Sequence, residues 1–352
     1  MPEESAAFIS VRPRISIAGS NRADIGESLV ETTVEQPLCG SAHAEVRLIN
    51  WGPLEGQQQP GFRFTDLRLG QTLDLFMGDN SESPVFEGEI TAIEERYGDG
   101  APQLVLLAQD KLHHLGRERH SRTFDDQSLD DVAQALAQEA NLQCNANISS
   151  SSATWHQLNE SNLAFLMRLT RPLDILPRLQ GGQLRVRPEE QDSNPHSVQV
   201  GNNALKLRII ADLNRQPNSA ESRGFDPSSD ESVSHEADGL QPAPSGETAG
   251  DNISRLGWPG EESFPAPFVI NQSQAESHAT GRFKQRARKF LDGDLVCNGE
   301  PTLRSGREVE LQEVSPRLQG RYLISHCIHR FNAEEGYKTR LRINRSFIGD
   351  SS

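Results

Sequence analysis

Cys327 and His329 stand two residues apart in the run Ile324-Ser-His-Cys-Ile-His-Arg-Phe331. A thiol beside an imidazole supplies a nucleophile and its base. On a strand, however, that spacing sets both side chains parallel on one face. This suits a buried Cys next to a hydrogen-bonded His better than a dyad aimed at a substrate. His113, His114 and His120 cluster with Arg117, Arg119 and Arg122. Metal binding is the chemistry to test there. Adjacent His113 and His114 point to different sides of either regular element, and no third ligand stands at metal spacing. Acidic residues are plentiful enough for the paired carboxylates of glycoside hydrolysis, yet nothing selects a pair. The neighbourhood of Trp155, His156 and Glu160 comes nearest. The sequence has no G-x-S-x-G, no H-E-x-x-H and no phosphate-cradling Gly-Lys-Ser/Thr loop. The expectation is a non-enzyme, with no catalytic, cofactor-binding or metal-binding residues. One charged row remains. Lys338, Arg340 and Arg342 share one face of a strand, about 6.6 Å apart at the rise of two strand residues. They are a candidate interface with an acidic partner surface.

The elements that position these residues show a repeat. After Gly306, Val309 and Leu311 alternate with Glu308 and Glu310, and Gly320 opens a long strand to Phe331. A turn over residues 332–336 leads to a last strand. Tyr337, Thr339, Leu341 and Ile343 form its apolar face, opposite the three cations. Period two around a glycine turn is the antiparallel signature. The same pattern occurs earlier. Gly70-Gln-Thr-Leu-Asp-Leu75 matches Gly306-Arg-Glu-Val-Glu-Leu311, Gly88-Glu-Ile90 is set against Gly320-Arg-Tyr322, and residues 103–108 correspond to 337–343. One antiparallel module is therefore expected twice.

Between the copies the period changes. Ser128, followed by Asp130 and Asp131, caps a helix with Val132, Leu136 and Ala140 on its apolar face. A second helix is expected from Glu160 to Arg171, stopped by Pro172. A hairpin turning at Gly181-Gly182 follows. Residues 205–213 read as a strand. From Asn218 to Ser263 the chain is rich in Ser, Gly, Pro and acid, with order expected near Arg223-Gly-Phe-Asp-Pro227 and mobility around 237–250. A helix over 273–291 carries Ala275, Ala279, Phe283 and Ala287 on one face and a basic second half. At the N-terminal end, a strand over 8–17 interrupted by Pro13, a turn over 19–26 and a strand over 67–76 are expected.

Composition sets limits. The 352 residues suggest two or three domains. A net charge of −15 argues against nucleic acid as the main ligand, because such binders neutralise phosphates with Lys and Arg. No stretch approaches the roughly 20 apolar residues that span a bilayer, and the opening residues have no signal-peptide character. Cys39, Cys144, Cys297 and Cys327 are scattered, without a metal or disulfide pattern.

The chain resembles the phage late control D family, the tail hub proteins of contractile phages. Relatives include the hubs of contractile injection systems and the N-terminal half of type VI secretion spike proteins. The resemblance runs nearly end to end. It is carried by Leu69-Gly70, Phe86-Glu-Gly88-Glu-Ile90, Leu115 to Phe124 with Ser128-Leu-Asp-Asp, Gly181-Gly182-Gln-Leu184, Arg223-Gly-Phe-Asp-Pro227, Gly299-Glu-Pro-Thr-Leu303 and Gly320-Arg-Tyr322. It implies a mainly β fold with an α+β insert: two tube-like small antiparallel β-barrels and a middle α+β domain. The implied division is 1–112, then 113–195 with 218–292, then 196–217 with 293–352. The implied function is a homotrimeric hub between the six-fold inner tube and a three-fold spike. Implied partners are copies of itself, an inner tube or tube-initiator protein, a separate trimeric spike protein and baseplate proteins, without membrane insertion. Assembly in the bacterial cytoplasm into a phage-tail-like particle is implied as well. The alternatives are a tail-associated cell-wall hydrolase and a β-barrel ligand-binding module.

Overall fold

The computed structural model describes residues 12–349 apart from 55, 80, 81 and 99. The protein is mainly β, and its strands pair chiefly antiparallel. In a first module the strands Thr72–Phe76, Phe86–Arg96, Gln103–Gln109, His43–Ile49 and Leu29–Pro37 are neighbours in that order. In a second, Glu308–Gln312, Gly320–Asn332, Gly336–Arg345, Leu291–Asn298 and Ala204–Ala211 follow the same order. Apolar residues at every second position, such as Leu73 and Leu75 or Val309 and Leu311, fill the two cores.

The repeat extends to single hydrogen bonds. Gly70 and Gly306 both have φ of 82°. Gly70 N–H donates to the Ile90 carbonyl at 2.8 Å, and Gly306 N–H to the Ile324 carbonyl at 2.8 Å. Ile90 and Ile324 return the bond to Gln71 and Arg307. Each long strand then carries a bulge, after Ile90 and after Ile324. The bulge hydroxyls, Thr91 and Ser325, donate to the equivalent carbonyls of Leu107 and Arg342. Strand pairing corrects one detail of the sequence alignment. Gly88 lies opposite Leu73, as Tyr322 lies opposite Val309. Gly88 therefore corresponds to Tyr322, whereas Gly320 occupies the place of Phe86. Matching glycine with glycine was misleading because one opens its strand and the other lies inside it.

The two modules share a single sheet. Strand Leu29–Pro37 of the first pairs with the second half of Gly320–Asn332, from His326 opposite Pro37 to Asn332 opposite Glu31. Arg330 reaches Glu31 at 2.6 Å, and Phe331 is buried in the first module's core.

The middle segment has its own core, built on helices Leu129–Glu139 and Asn162–Thr170. Ser128 and Asp131 form a reciprocal capping box. Helix Gln272–Ala287 buries Ala275, Ala279, Phe283 and Ala287, the four-residue stripe seen in the sequence. At Gly281 it passes so close to the 3-10 turn Arg171–Leu173 that a Cβ would lie 2.2 Å from the Pro172 carbonyl oxygen. Arg282 and Arg286 of its basic half both bond Glu262, and Arg288 bonds Asp174.

Several expectations are corrected. The 237–250 stretch contains strand Gly246–Thr248, paired with Phe347–Gly349, and the start of helix Ala249–Leu256. The acidic segment is held by strands Ser219–Asp226, Glu231–Ala237 and Glu261–Val269, which pack small residues against the last helix. The turn expected at 19–26 contains strand Ser20–Asn21 and the start of helix Ala23–Ser28. The strand expected from 67 begins at Thr72, because Gly70 makes the turn. Of the strand expected over 8–17, residues 8–11 lie outside the described residues, and Arg14–Ile17 follows Pro13. Among the described residues, no helix is long and apolar enough to cross a membrane.

Candidate functional site

The long strand of the second module does bring Cys327 and His329 together, at 3.2 Å between Sγ and Nε2. Both are fully enclosed. His329 Nε2 lies 3.1 Å from the Leu303 carbonyl, to which it donates, and Nδ1 accepts from the Tyr337 hydroxyl at 2.8 Å. Burial pushes the Cys327 thiol well above its usual range and holds His329 down to about 3. A neutral thiol beside a neutral imidazole, closed off from solvent, is a packed polar pair. It carries a pH prediction. The folded-state pKa of His329 is below its unfolded value near 6.5, so its contribution to stability is complete above that value. The contribution is lost as pH falls toward 3. The thermal midpoint of the native chain should fall as pH is lowered across that window. His329→Gln should flatten part of the slope; His113, His278 and His326, also depressed by burial, keep a share of it, and carboxylates held low by arginine, such as Glu139 and Asp292, add theirs toward the acid end.

The histidine cluster departs from expectation. His113 and His114 lie on a 3-10 helix, Lys111–Gly116, and both turn Nε2 toward one carboxylate oxygen of Glu89, at 3.3 and 3.0 Å. The reading that they point apart, with no third ligand, is corrected: the 3-10 turn brings adjacent rings to 4.2 Å, and the partner is supplied by a distant strand. By donor type this is a possible three-ligand set. Arg117 Nε, however, donates to His113 Nδ1 at 3.2 Å. That leaves the His113 proton on Nε2, where it donates to Glu89. The group is satisfied as a hydrogen-bonded cluster. His120 stands apart from it, near Glu118.

Trp155, His156 and Glu160 share strand Ala153–Ser161. Each has a structural partner. Trp155 donates to the Gln127 carbonyl at 2.9 Å, His156 Nδ1 meets the Thr123 hydroxyl, and Glu160 pairs with Arg168 at 2.8 Å.

Lys338, Arg340 and Arg342 lie on one face of strand Gly336–Arg345, opposite Tyr337, Thr339, Leu341 and Ile343. Carboxylates of the same chain already face them. Arg342 bonds Asp292 at 2.6 Å, Arg340 lies 3.7 Å from Asp294, and Lys338 lies 3.6 Å from Glu335. The row is an outward ladder of alternating charge rather than a bare cationic strip.

Sequence reasoning missed a buried ionic joint. Glu189 accepts from both terminal nitrogens of Arg178, at 2.6 and 2.8 Å, and from Arg185 at 3.1 Å. Arg178 also bonds the Leu38 carbonyl of the first module and lies over Gly306 of the second. A Cβ at Gly306 would lie 2.0 Å from the guanidinium, so glycine is required there both for its positive φ and for this approach. Gly306→Ala should therefore lower the thermal midpoint by loosening the joint, while circular dichroism at low temperature keeps its β signature. A cleft of about 620 Å³ opens beside the joint, lined by residues including Pro37, Asp74, Lys111, Arg178 and Arg304.

The fold has known counterparts. It is similar to the 43 kDa tail protein of prophage MuSo2 from Shewanella oneidensis, with a TM-score of 0.70 and 13% identity over 95% of this chain and 98% of that one. A tail protein from Neisseria meningitidis MC58 gives 0.67 at 12% identity, covering 95% and 97%. The Escherichia coli c3393 protein, a component of the type VI secretion system structurally similar to the T4 tail proteins gp27 and gp5, gives 0.63 at 10% identity, covering 96% and 77%. The chain thus has the fold of phage tail and type VI spike-related proteins, as the sequence resemblance implies. No curated protein matches the chain in sequence. The match to a family reaches across both modules: over residues 63–333 the sequence fits the family described as Alg8 N-terminal domain, and the chain belongs to that family.

Proposed function

We propose that this chain is the structural central hub of a contractile tail or injection-system baseplate, a homotrimer that adapts a six-fold inner tube to a three-fold spike. The observation that carries the reading is the duplicated module. Two modules with one strand order per chain give six pseudo-equivalent units in a trimer, which meets a six-fold tube while the whole keeps three-fold symmetry. The reading takes 1–112 and 196–217 with 293–352 as the tube-facing modules, and 113–195 with 218–292 as the middle domain. Its partners are an inner tube or tube-initiator protein, a separate trimeric spike and other baseplate proteins, assembled in the bacterial cytoplasm. The role is structural, since the thiol, imidazoles and carboxylates that suggested chemistry are consumed by internal partners. Mass measurement of the assembled ring tests it: three copies are expected, and a hexameric ring of this chain or a lone copy in a finished particle overturns it. Clearing of peptidoglycan by the purified chain would overturn the non-enzymatic role.

Lys338, Arg340 and Arg342 belong to the proposed contact surface. Reversal to Glu would set like charges against Asp292, Asp294 and Glu335, so neutralisation is the cleaner probe. The triple change to Gln should leave the circular dichroism spectrum intact and reduce incorporation into particles. Normal incorporation removes these residues from the surface.

A further inference from the structure

The two modules are equivalent strand for strand, but their edges are not equally covered. Within the chain, the second half of Gly320–Asn332 is completed by strand Leu29–Pro37. Its counterpart in the first module is the second half of Phe86–Arg96. Among the described residues, the side of residues 92–96 away from Gln103–Gln109 has no strand beside it. The counterpart of Leu29–Pro37 is Ala204–Ala211. That strand pairs with Leu291–Asn298 on one side and, apart from an isolated bridge between Val200 and Ala204, has no other strand partner among the described residues. Two open edges of the sheet are thus copies of the two edges that the chain has already joined.

We infer that these edges join between neighbouring copies of the chain, with Ile93–Tyr97 of one copy pairing antiparallel with Leu207–Ala211 of the next. The inference deepens the hub reading and rests on its claim that copies of this chain assemble with one another. The register follows from the repeat. The bulge equivalence aligns Ala92 with His326 and Tyr97 with Phe331. Leu29 and Ala204 each precede a bulge on the matching strand, which aligns Thr33 with Arg208 and Val34 with Ile209. Arg330 opposite Thr33 in the internal joint therefore becomes Arg96 opposite Arg208 of the next copy.

Side-chain exposure supports the match. Phe331 is 2% exposed in the internal joint, while its equivalent Tyr97 is 63% exposed. Tyr97 continues an exposed aromatic row, edge-on to Phe62, which is edge-on to Trp51. Thr32 and Val34 are fully buried, while their equivalents Leu207 and Ile209 are covered only in part by the second module's core. Leu205 and Ile210 of the same edge strand are exposed. Lys206 and Arg208 are charges of the kind that blunt an edge, but the exposed Leu205 and Ile210 beside them leave it able to accept another strand. The facing arginines are not isolated, since Glu94 pairs with Arg96 at 2.8 Å and Asp294 lies opposite Arg208 on its own sheet.

Cysteine crosslinking tests the register. In the internal joint Leu38 N–H donates to the Ser325 carbonyl, which fixes the alternation and makes Arg330–Thr33 a non-hydrogen-bonded pair. Such pairs bring side chains closest and suit a disulfide. In a background of Cys39→Ser and Cys144→Ser, which removes the two half-buried thiols, the double variant Arg96→Cys with Arg208→Cys should form a disulfide-linked ladder ending in a closed ring under mild oxidation. Mixing the two single variants should yield linked dimers only, because each contact is head to tail. Failure of the double variant to crosslink overturns the pairing. If unlinked trimers form all the same by mass photometry, the hub reading survives that failure. A crosslinked ring of a number other than three sustains the pairing and overturns the trimeric hub.

Discussion

Replacing Glu189 with alanine is expected to lower the unfolding free energy by about 3–5 kcal/mol, the cost of leaving buried charge without its partner. The carboxylate is the only acid within bonding distance of Arg178 and Arg185 among the described residues, and both arginines are buried, at 4% and 8% exposed. Arg185 already has its guanidinium pKa lowered by burial, despite Glu189 beside it. Without Glu189, Arg178 keeps a 3.4 Å contact to the Leu38 carbonyl, and Arg185 keeps the carbonyls of Arg187 and Pro188. Carbonyl dipoles do not replace a bidentate carboxylate. Denaturant melts should show the midpoint shift with little change in slope. The joint ties the middle hairpin to both modules, so the loss should appear as one transition. The triple change Arg178→Met, Arg185→Met, Glu189→Leu should recover most of the loss, because buried ionic groups exchanged for apolar ones of similar volume are often neutral. A loss below about 1 kcal/mol for Glu189→Ala, the worth of an exposed pair, would show that water reaches the joint.

The repeat was legible because alternation and glycine punctuation are local: Gly70 with Leu73 and Leu75, and Gly306 with Val309 and Leu311, share one spacing. Register was not, since whether Gly88 or Phe86 matches Gly320 depends on which residue lies across the sheet. The helix stripe of Ala275, Ala279, Phe283 and Ala287 was read correctly for the same local reason. The segment around 237–250 was misread through composition alone. Its sequence held a signal, Thr248 with Asp251 three residues on, which forms a capping box ahead of Ile253 and Leu256. The adjacent histidines do not read as converging because α and β geometry both point neighbours apart, whereas the 3-10 helix at 111–116 permits adjacent rings to meet. Arg178, Glu189, Leu38 and Gly306 come from three separated parts of the chain, and no local pattern joins them.

Phe331→Ala is expected to destabilise the isolated chain by about 3–5 kcal/mol, the usual cost of truncating a buried aromatic. Phe331 belongs by strand to the second module and by packing to the first, so its removal opens a cavity at the point where the modules meet. Tyr97 occupies the equivalent position on the first module and is 63% exposed. Tyr97→Ala in the isolated chain should fall within about 0.5 kcal/mol of the native protein, as surface changes do. Its effect should appear on association instead. If the neighbouring copy supplies the missing strand, Tyr97 becomes the buried aromatic of that joint, and its truncation removes an anchor of the kind that dominates interfaces. Mass photometry across a dilution series should then show rings of the Tyr97→Ala chain dissociating at concentrations where native rings persist, while the melting curve of the dissociated chain is unchanged. Phe331→Ala should reverse the order, with the stability loss present in the single chain before any assembly. Equal ring stability for Tyr97→Ala and the native protein would mean that the equivalence of the two positions ends at the sheet and does not extend to what covers it.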